Sequence, residues 1–285
     1  MAKNDIISKN SKQSRNNVSS EAVGTNSRKR KNKEDKLKKE NTGLKFLMFF
    51  LFLVIIGLSI GILFSPAFNL NEIIVEDGIN VKKEEISNVV NVKYGENVFK
   101  QNYKELKSDV KSLPYIEDAK LMIRFPDKIE IDYTERKPYA LIKFLESYFV
   151  VDRFGYLLEI KKDKENLELP VIYGIDVEEY ELGEKLSDTS SVKLKNVVTL
   201  IETAEQRNFK YAIREINYEE IGEVKIWLDG HEIEIIYGQI DKNIITEKLT
   251  FLEQILNKLH DKRGRLDISS EEYAEKSIFV DINNM

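Results

Sequence analysis

The sequence contains no cysteine and only two histidines, His231 and His260. The lack of cysteine excludes disulfide scaffolds, cysteine nucleophiles and thiolate metal sites. Two histidines far apart in the chain also leave no ligand set for a zinc centre of the usual kind. Glycine-rich phosphate loops, the G-x-S-x-G elbow and paired histidines at metalloprotease spacing are absent as well. These absences argue against the common catalytic classes and against a bound cofactor.

Charge and hydrophobicity are strongly segregated along the 285 residues. Charged side chains make up 33% of the chain, compared with about a quarter in typical proteins. Residues 1–43 hold twelve basic and five acidic residues, whereas the remainder is acidic, because the whole chain carries -5. This basic arm is poor in apolar residues and is therefore predicted to be disordered. Its lysines and arginines are not interleaved with aromatic residues, which argues against a nucleic-acid-binding role.

A long apolar segment follows the arm. From Phe46 to Phe64 the only polar residue is Ser59, and as a helix this run would be about 28 Å long, close to the hydrocarbon thickness of a bilayer. A transmembrane helix over 44–66 is predicted, with a buried core helix and a cleaved signal peptide as alternatives. Because the positive charge precedes the span, the amino terminus is expected in the cytoplasm. Gly57 and Gly61, in Gly-x-x-x-Gly spacing, are candidates for packing against another membrane helix.

The pattern after the span predicts two α+β domains. Residues 69–137 read as strand, helix, helix, strand, strand, and Asn102 with Glu105 forms a capping-box signal at the start of the second helix. Residues 138–285 read as successive short strands with helices near 191–207 and 242–259, and Asp229-Gly230 marks a hairpin. The fold class is therefore α+β, with a small β-α-α-β-β domain and a larger domain containing a mainly antiparallel sheet and two helices.

Candidate catalytic residues have simpler structural explanations. His231 follows Gly230 at the start of a strand and is expected to be a turn or edge residue. His260 ends a helix, where a positive charge or a hydrogen-bond donor stabilises the free carbonyls of the last turn. Adjacent acid pairs, such as Glu178-Glu179, point in different directions on any regular element and are interpreted as solvated surface. An anchored cell-wall hydrolase or a ligand-sensing protein remains an alternative function.

The order of these features, with several local motifs, resembles the FtsQ/DivIB family of bacterial cell-division proteins. The motifs are Leu113-Pro114-Tyr115, Arg124-Phe125-Pro126-Asp127, Glu135-Arg136-Lys137-Pro138, Val150-Val151-Asp152-Arg153-Phe154-Gly155, Leu169-Pro170-Val171 and Leu266-Asp267-Ile268. The resemblance implies a POTRA domain over 69–137 and an FtsQ-type β domain over 138–285. The stretch from Ser269 to Lys276 is longer than the resemblance leads us to expect.

The resemblance also implies a role. It predicts a non-catalytic, single-pass membrane protein at the division septum, which binds FtsL and an FtsB/DivIC-type partner outside the membrane and so helps to regulate the septal peptidoglycan synthase complex. Partner contact is expected near the carboxyl end of the β domain, where the last strand is either an unpaired edge or an interior strand of the sheet. Replacing Val280 with Pro is expected to abolish capture. The candidate partner-binding residues are Leu266, Asp267, Ile268, Ser277, Ile278, Phe279, Val280 and Ile282.

Overall fold

The computed structural model describes residues 24–164, 167–218, 223–259 and 262–282, and the chain divides into two units, Met1–Ser65 and Pro66–Met285. In the first unit, helix α1 spans Gly24–Leu63. Its segment Thr42–Leu63 is long and apolar enough to cross a membrane, and none of it is buried within the protein. The predicted apolar span thus forms one continuous helix.

The arm differs from the prediction over part of its length. Residues 1–23 lie outside the described residues, but from Gly24 onward the backbone is helical, where disorder was expected. Helix nucleation is the costly step, and adding residues to an existing helix is much easier. The apolar span supplies that nucleus, and the Lys, Glu, Arg and Leu residues of the adjoining arm are good helix formers.

The first part of the second unit is the predicted β-α-α-β-β domain. It contains β1 (Glu72–Ile74), α2 (Lys83–Val89), α3 (Tyr103–Lys111), β2 (Ile116–Arg124) and β3 (Lys128–Glu135). The sheet order is β1-β3-β2, with β1 parallel and β2 antiparallel to β3. Asn102 caps α3 as predicted, since its side chain accepts a hydrogen bond from the Glu105 amide. The helices and one sheet face enclose a core that includes Ile86, Leu106, Val110, Ile129 and Ile131.

Glu135 holds the turn between β1 and α2. Its carboxylate accepts hydrogen bonds from the backbone and side chain of Asn80, at 3.0 and 2.9 Å, and from the amide of Val81 at 3.1 Å. Gly78 lies directly against this carboxylate, where a Cβ would collide with it. The turn therefore requires both an acidic residue at the end of β3 and a glycine at position 78.

The larger part of the second unit is built on a second sheet. Its strands are β4 (Ala140–Phe144), β5 (Ser147–Val151), β6 (Leu157–Lys161), β7 (Val171–Tyr173), β8 (Ile213–Asn217), β9 (Val224–Leu228), β10 (Glu232–Gly238), β11 (Arg263–Asp267) and β12 (Ile278–Asp281). Among the described residues the strand order is β12-β11-β10-β9-β8-β7-β4-β5-β6. Five of the eight neighbouring pairs are antiparallel, and the pairs β4-β7, β7-β8 and β10-β11 are parallel. The sheet is mainly antiparallel, as predicted.

Two long helices cover one face of this sheet, and both lie close to the predicted positions. Helix α4 spans Asp188–Gln206 and α5 spans Ile245–Lys258. Leu200, Leu249 and Leu252 of these helices are fully buried against Ile226 and Ile235 of the sheet. A further helix of one turn, α6 (Tyr273–Lys276), was not predicted. It lies between Ser269 and Lys276, the stretch that is longer than the family resemblance implies.

A buried ion pair joins the end of β3 to the turn after β5. The Arg136 guanidinium donates to the Asp152 carboxylate at 2.8 Å, and the two side chains are only 10% and 4% exposed. Arg136 also stacks on the Tyr156 ring, while Asp152 accepts the amides of Phe154 and Tyr156. This pair stands at the junction of the two predicted domains, whose boundary at residues 137 and 138 remains a prediction.

Candidate protein-interaction site

The two edge strands of the large sheet differ in how far other residues cover them. At one edge, Leu157 of β6 donates its amide to Glu184 and accepts from the Gly183 amide, so residues 183–184 partly cover that strand. At the other edge, β12 pairs with β11 and has no second neighbour among the described residues. An unpaired strand edge presents free backbone donors and acceptors to any strand that arrives. Within the described ranges the last strand is thus an edge strand, one of the two possibilities left open by the sequence.

The side chains of the last strand alternate between the core and the solvent. Phe279 is half-buried and packs against the main core. Ile278, Val280 and Ile282 point the other way and are exposed. Three exposed aliphatic residues on one face of an edge strand give poor protection against association. Four of the eight predicted partner-binding residues therefore lie on this strand or directly after it.

The other four residues are placed differently. Leu266 and Ile268 are buried in the core, because β11 is an interior strand, so their side chains are not available to a partner. Asp267 accepts hydrogen bonds from the amide and hydroxyl of Ser269 and shapes the turn after β11. The Ser277 amide, directly after α6, donates to the carbonyl of Tyr273, the first residue of that helix. These residues support the edge strand from within the fold.

The backbone of β12 has one side facing β11 and one side facing away. The carbonyl of Val280 points toward β11, since a Cβ on Gly264 would collide with it. Backbone groups alternate sides along an antiparallel strand, so the amides and carbonyls of Phe279 and Asp281 face outward. A Pro at Val280 would therefore disturb the pairing with β11, and Asp281 is the better position for removing an outward donor.

The register of β11 is supported by charge on the open face of the sheet. Glu232 and Glu234 of β10 lie directly opposite Arg263 and Arg265 of β11. The two ion pairs have N to O distances of 2.9 and 2.5 Å. A one-residue slip would separate both pairs and move Leu266 out of the core. Next to this ladder is a shallow pocket of about 370 Å³, whose lining includes Trp227, His231, Arg265 and Ile282.

A buried lysine on α5 lies beneath this end of the sheet. Lys248 is 2% exposed, and its ammonium group donates to the carbonyl of Tyr237 on β10 at 2.6 Å. The same ammonium lies 4.5 Å from the centre of the Tyr237 ring and 5.6 Å from that of Tyr273 on α6. Burial lowers the pKa of Lys248 to about 8, although the charge of Asp267 acts in the opposite direction. Lys248 is three residues after Ile245 and four before Leu252, so the helical period of α5 places it on the buried side, a signal that the sequence analysis did not use.

We expect the stability of the protein to rise with pH between about 8 and 10. The unfolded lysine has its ordinary pKa of 10.5 and binds a proton throughout this range, whereas the folded one has released it. The full gain corresponds to up to about 3 kcal/mol. In a Lys248→Met variant the gain should disappear, while Lys258→Met, at an exposed position of the same helix, should keep it. Denaturant titrations at several pH values measure this, and a pH-dependent Lys248→Met variant would contradict the assignment.

The remaining sequence candidates show no site among the described residues. Gly57 and Gly61 lie in α1 with open space beside them, so their packing role stays a prediction. His231 follows the β9-β10 turn and packs edge-on against the Tyr211 ring at 4.6 Å, while His260 lies outside the described residues. Within the described part of the chain, no group of His, Asp and Glu residues could hold a metal ion.

Comparison with known proteins agrees with this architecture. The protein-family model described as "POTRA domain, FtsQ-type" matches residues 68–136. A second family model, described as "Cell division protein FtsQ/DivIB, C-terminal", matches residues 140–274. Together the two matches span more than two thirds of the chain.

Similar full-length proteins carry matching names. "Cell division protein DivIB" of Clostridium tetani is 29% identical over 202 residues, which cover 70% of this chain and 74% of that protein. DivIB of Clostridium botulinum is 27% identical over 240 residues, covering 83% and 92%, and "Cell division protein FtsQ" of Syntrophotalea carbinolica is 23% identical over 206 residues, covering 71% and 70%.

The fold and these matches define a POTRA-domain protein with a second, sheet-based domain and one candidate membrane span. More particularly, the chain belongs to the FtsQ/DivIB family of cell-division proteins.

Proposed function

We propose that this protein is a membrane-anchored scaffold of the bacterial divisome that captures a partner strand along β12. The observation that carries the proposal is that β12 has no second neighbour in the part of the chain that the structure describes. Along it, Ile278, Val280 and Ile282 are exposed beside the outward backbone groups of Phe279 and Asp281. An added strand gains affinity from main-chain hydrogen bonds and specificity from alternate side chains. In β12 the outward backbone groups would supply the hydrogen bonds, and the exposed aliphatic side chains would supply the specificity.

The partners that fit the family are FtsL and an FtsB/DivIC-type protein, and through them the septal peptidoglycan synthase complex. The basic residues that precede the span favour a cytoplasmic amino terminus, which puts both folded domains and the β12 edge outside the membrane. The protein itself acts by binding and carries out no reaction. An anchored cell-wall hydrolase is the alternative, and it has no specific support among the described side chains.

The test compares two substitutions at one residue. Asp281→Pro removes an outward amide, so we expect it to abolish capture of the FtsB/DivIC-type partner. Asp281→Ala keeps the amide and removes only the carboxylate, which pairs with Lys262 at 3.2 Å, so binding should be retained. Co-purification of full-length protein with the partner in detergent measures both, with circular dichroism as the check on folding.

Either of two results would contradict the edge-strand proposal. One is partner binding by a folded Asp281→Pro variant. The other is loss of binding by Asp281→Ala, since this would assign the contact to the side chain and not to the strand edge. A peptidoglycan-release assay on the same protein distinguishes the scaffold from the hydrolase, because only the hydrolase would release fragments.

A further inference from the structure

An exposed aromatic cluster lies at one end of the small domain. The rings of Phe68, Phe99 and Phe125 have centroid separations of 5.8, 6.3 and 6.1 Å. Phe125 is 67% exposed and Phe99 is 38% exposed, although a phenylalanine side chain has no polar group that could hydrogen-bond to water. Large apolar side chains that form one contiguous exposed patch usually mark an interaction surface. The partner edge described above does not include any of these rings.

Three segments of the chain bring these rings together. The Leu70 amide donates to the carbonyl of Glu96, and the Gly95 amide donates back to Leu70, which joins the segment after the span to the turn that carries Phe99. The Asn71 amide donates to the carbonyl of Asp127, next to the turn that carries Phe125. The cluster therefore includes Phe68, one of the first residues of the second unit.

The covalent chain limits how far this cluster can be from the apolar run. Only three residues lie between Phe64, the last residue of that run, and Phe68. These four Cα-to-Cα steps span no more than about 14 Å even in a fully extended chain. The intervening residues include the 3-10 turn Pro66–Phe68, which shortens this reach. Trp and Tyr are enriched where membrane proteins meet the headgroup region, and Phe is common on the apolar face of interfacial helices. The exposed Tyr94 is close to the cluster in sequence.

We propose that Phe68, Phe99 and Phe125 insert into the interface of the bilayer that α1 spans and so fix the small domain against the membrane. The inference rests on the proposed membrane anchorage by α1. Three basic side chains near the cluster form ion pairs: Lys128 with Glu72, Lys93 with Glu96 at 4.0 Å, and Arg124 with Glu130 at 2.5 Å. We therefore expect the attraction to be mainly apolar and not to depend on anionic lipid.

The experiment uses the full-length protein in nanodiscs of phosphatidylcholine. Trp227 is the only tryptophan, so Trp227→Phe gives a background in which Phe125→Trp reports on the cluster. The matched control is Phe154→Trp, at a phenylalanine of the large domain that is also exposed, by 54%. Lipids brominated near the headgroup quench tryptophan fluorescence only when the ring is in the membrane.

We expect several-fold stronger quenching for Phe125→Trp than for Phe154→Trp, and stronger quenching by bromine near the headgroup than by bromine near the chain end. Adding phosphatidylglycerol should leave the quenching unchanged. Equally weak quenching at both positions would overturn the proposal and leave the cluster as a surface for a protein. If Phe125→Trp does not fold, Phe99→Trp replaces it with the same expectations.

This result is independent of the β12 edge. If α1 does not span the membrane, the chain will not incorporate into nanodiscs, which is a separate observation. If it incorporates without quenching, the proposed partner edge is unaffected.

Discussion

Replacing Arg136 with Ala is expected to cost about 3–5 kcal/mol of folding free energy, because it leaves the Asp152 carboxylate buried without its counter-ion. The substitution also removes the contact between the Arg136 guanidinium and the Tyr156 ring. Two hydrogen bonds from the Phe154 and Tyr156 amides would remain, and they do not neutralise the charge. A loss of this size is a large fraction of the stability of a typical domain. Urea denaturation of the full-length protein in detergent measures it.

The matched control for this prediction is Arg124→Ala. Arg124 also pairs with a carboxylate, that of Glu130 at 2.5 Å, but its side chain is exposed. Exposed ion pairs contribute about 0–1 kcal/mol, so this substitution should be nearly neutral. Adding Asp152→Asn to Arg136→Ala should recover part of the loss, since the second change removes the buried charge. Equal effects of Arg124→Ala and Arg136→Ala would show that burial does not determine the strength of the pair.

Replacing Gly264 with Ala is expected to detach β12 from the sheet. The new Cβ would collide with the carbonyl of Val280, and because that obstacle is backbone, it cannot rotate away as a side chain would. Overpacking of this kind typically costs about 1–3 kcal/mol. The detached strand should lose hydrogen-exchange protection over residues 277–282, and partner capture should be abolished.

Gly230→Ala is the matched control, because it should lower stability locally without detaching β12. Gly230 has a positive φ in the β9-β10 turn but has nothing within 4 Å of a new Cβ. Its replacement should cost roughly 1–2 kcal/mol of backbone strain and leave β12 protected. If Gly264→Ala kept β12 protected and bound the partner normally, the assigned pairing of β11 with β12 would be wrong.

Local signals predicted local structure well. The cap at Asn102 determines where α3 begins, and the Asp229-Gly230 turn determines where β9 ends and β10 begins, so these boundaries followed from the sequence. The unpredicted helix α6 has only one turn, which is too short to show a helical period. The helical part of the arm was missed because composition reports on a segment by itself, whereas this segment extends an existing helix.

The candidate site was less predictable because it depends on contacts between distant residues. The sequence located the last strand, but Leu266 and Ile268 look equally suitable for binding a partner until β11 is known to be an interior strand. Glu135 and Arg136 were noticed as part of a motif, with no indication that one holds a turn and the other a buried carboxylate. Such roles follow from tertiary pairing, which a linear pattern does not encode.

The partial cover over β6 has a consequence for how copies of this protein can associate. A sheet with two open edges can add strands in both directions and grow into fibres, whereas a sheet with one usable edge can be extended once. Two copies that met through β12 would block each other's remaining edge, and the assembly would close as a symmetric pair. We therefore expect association of unpartnered protein through its sheet edges to stop at a dimer, from which an arriving partner strand can recover a monomer.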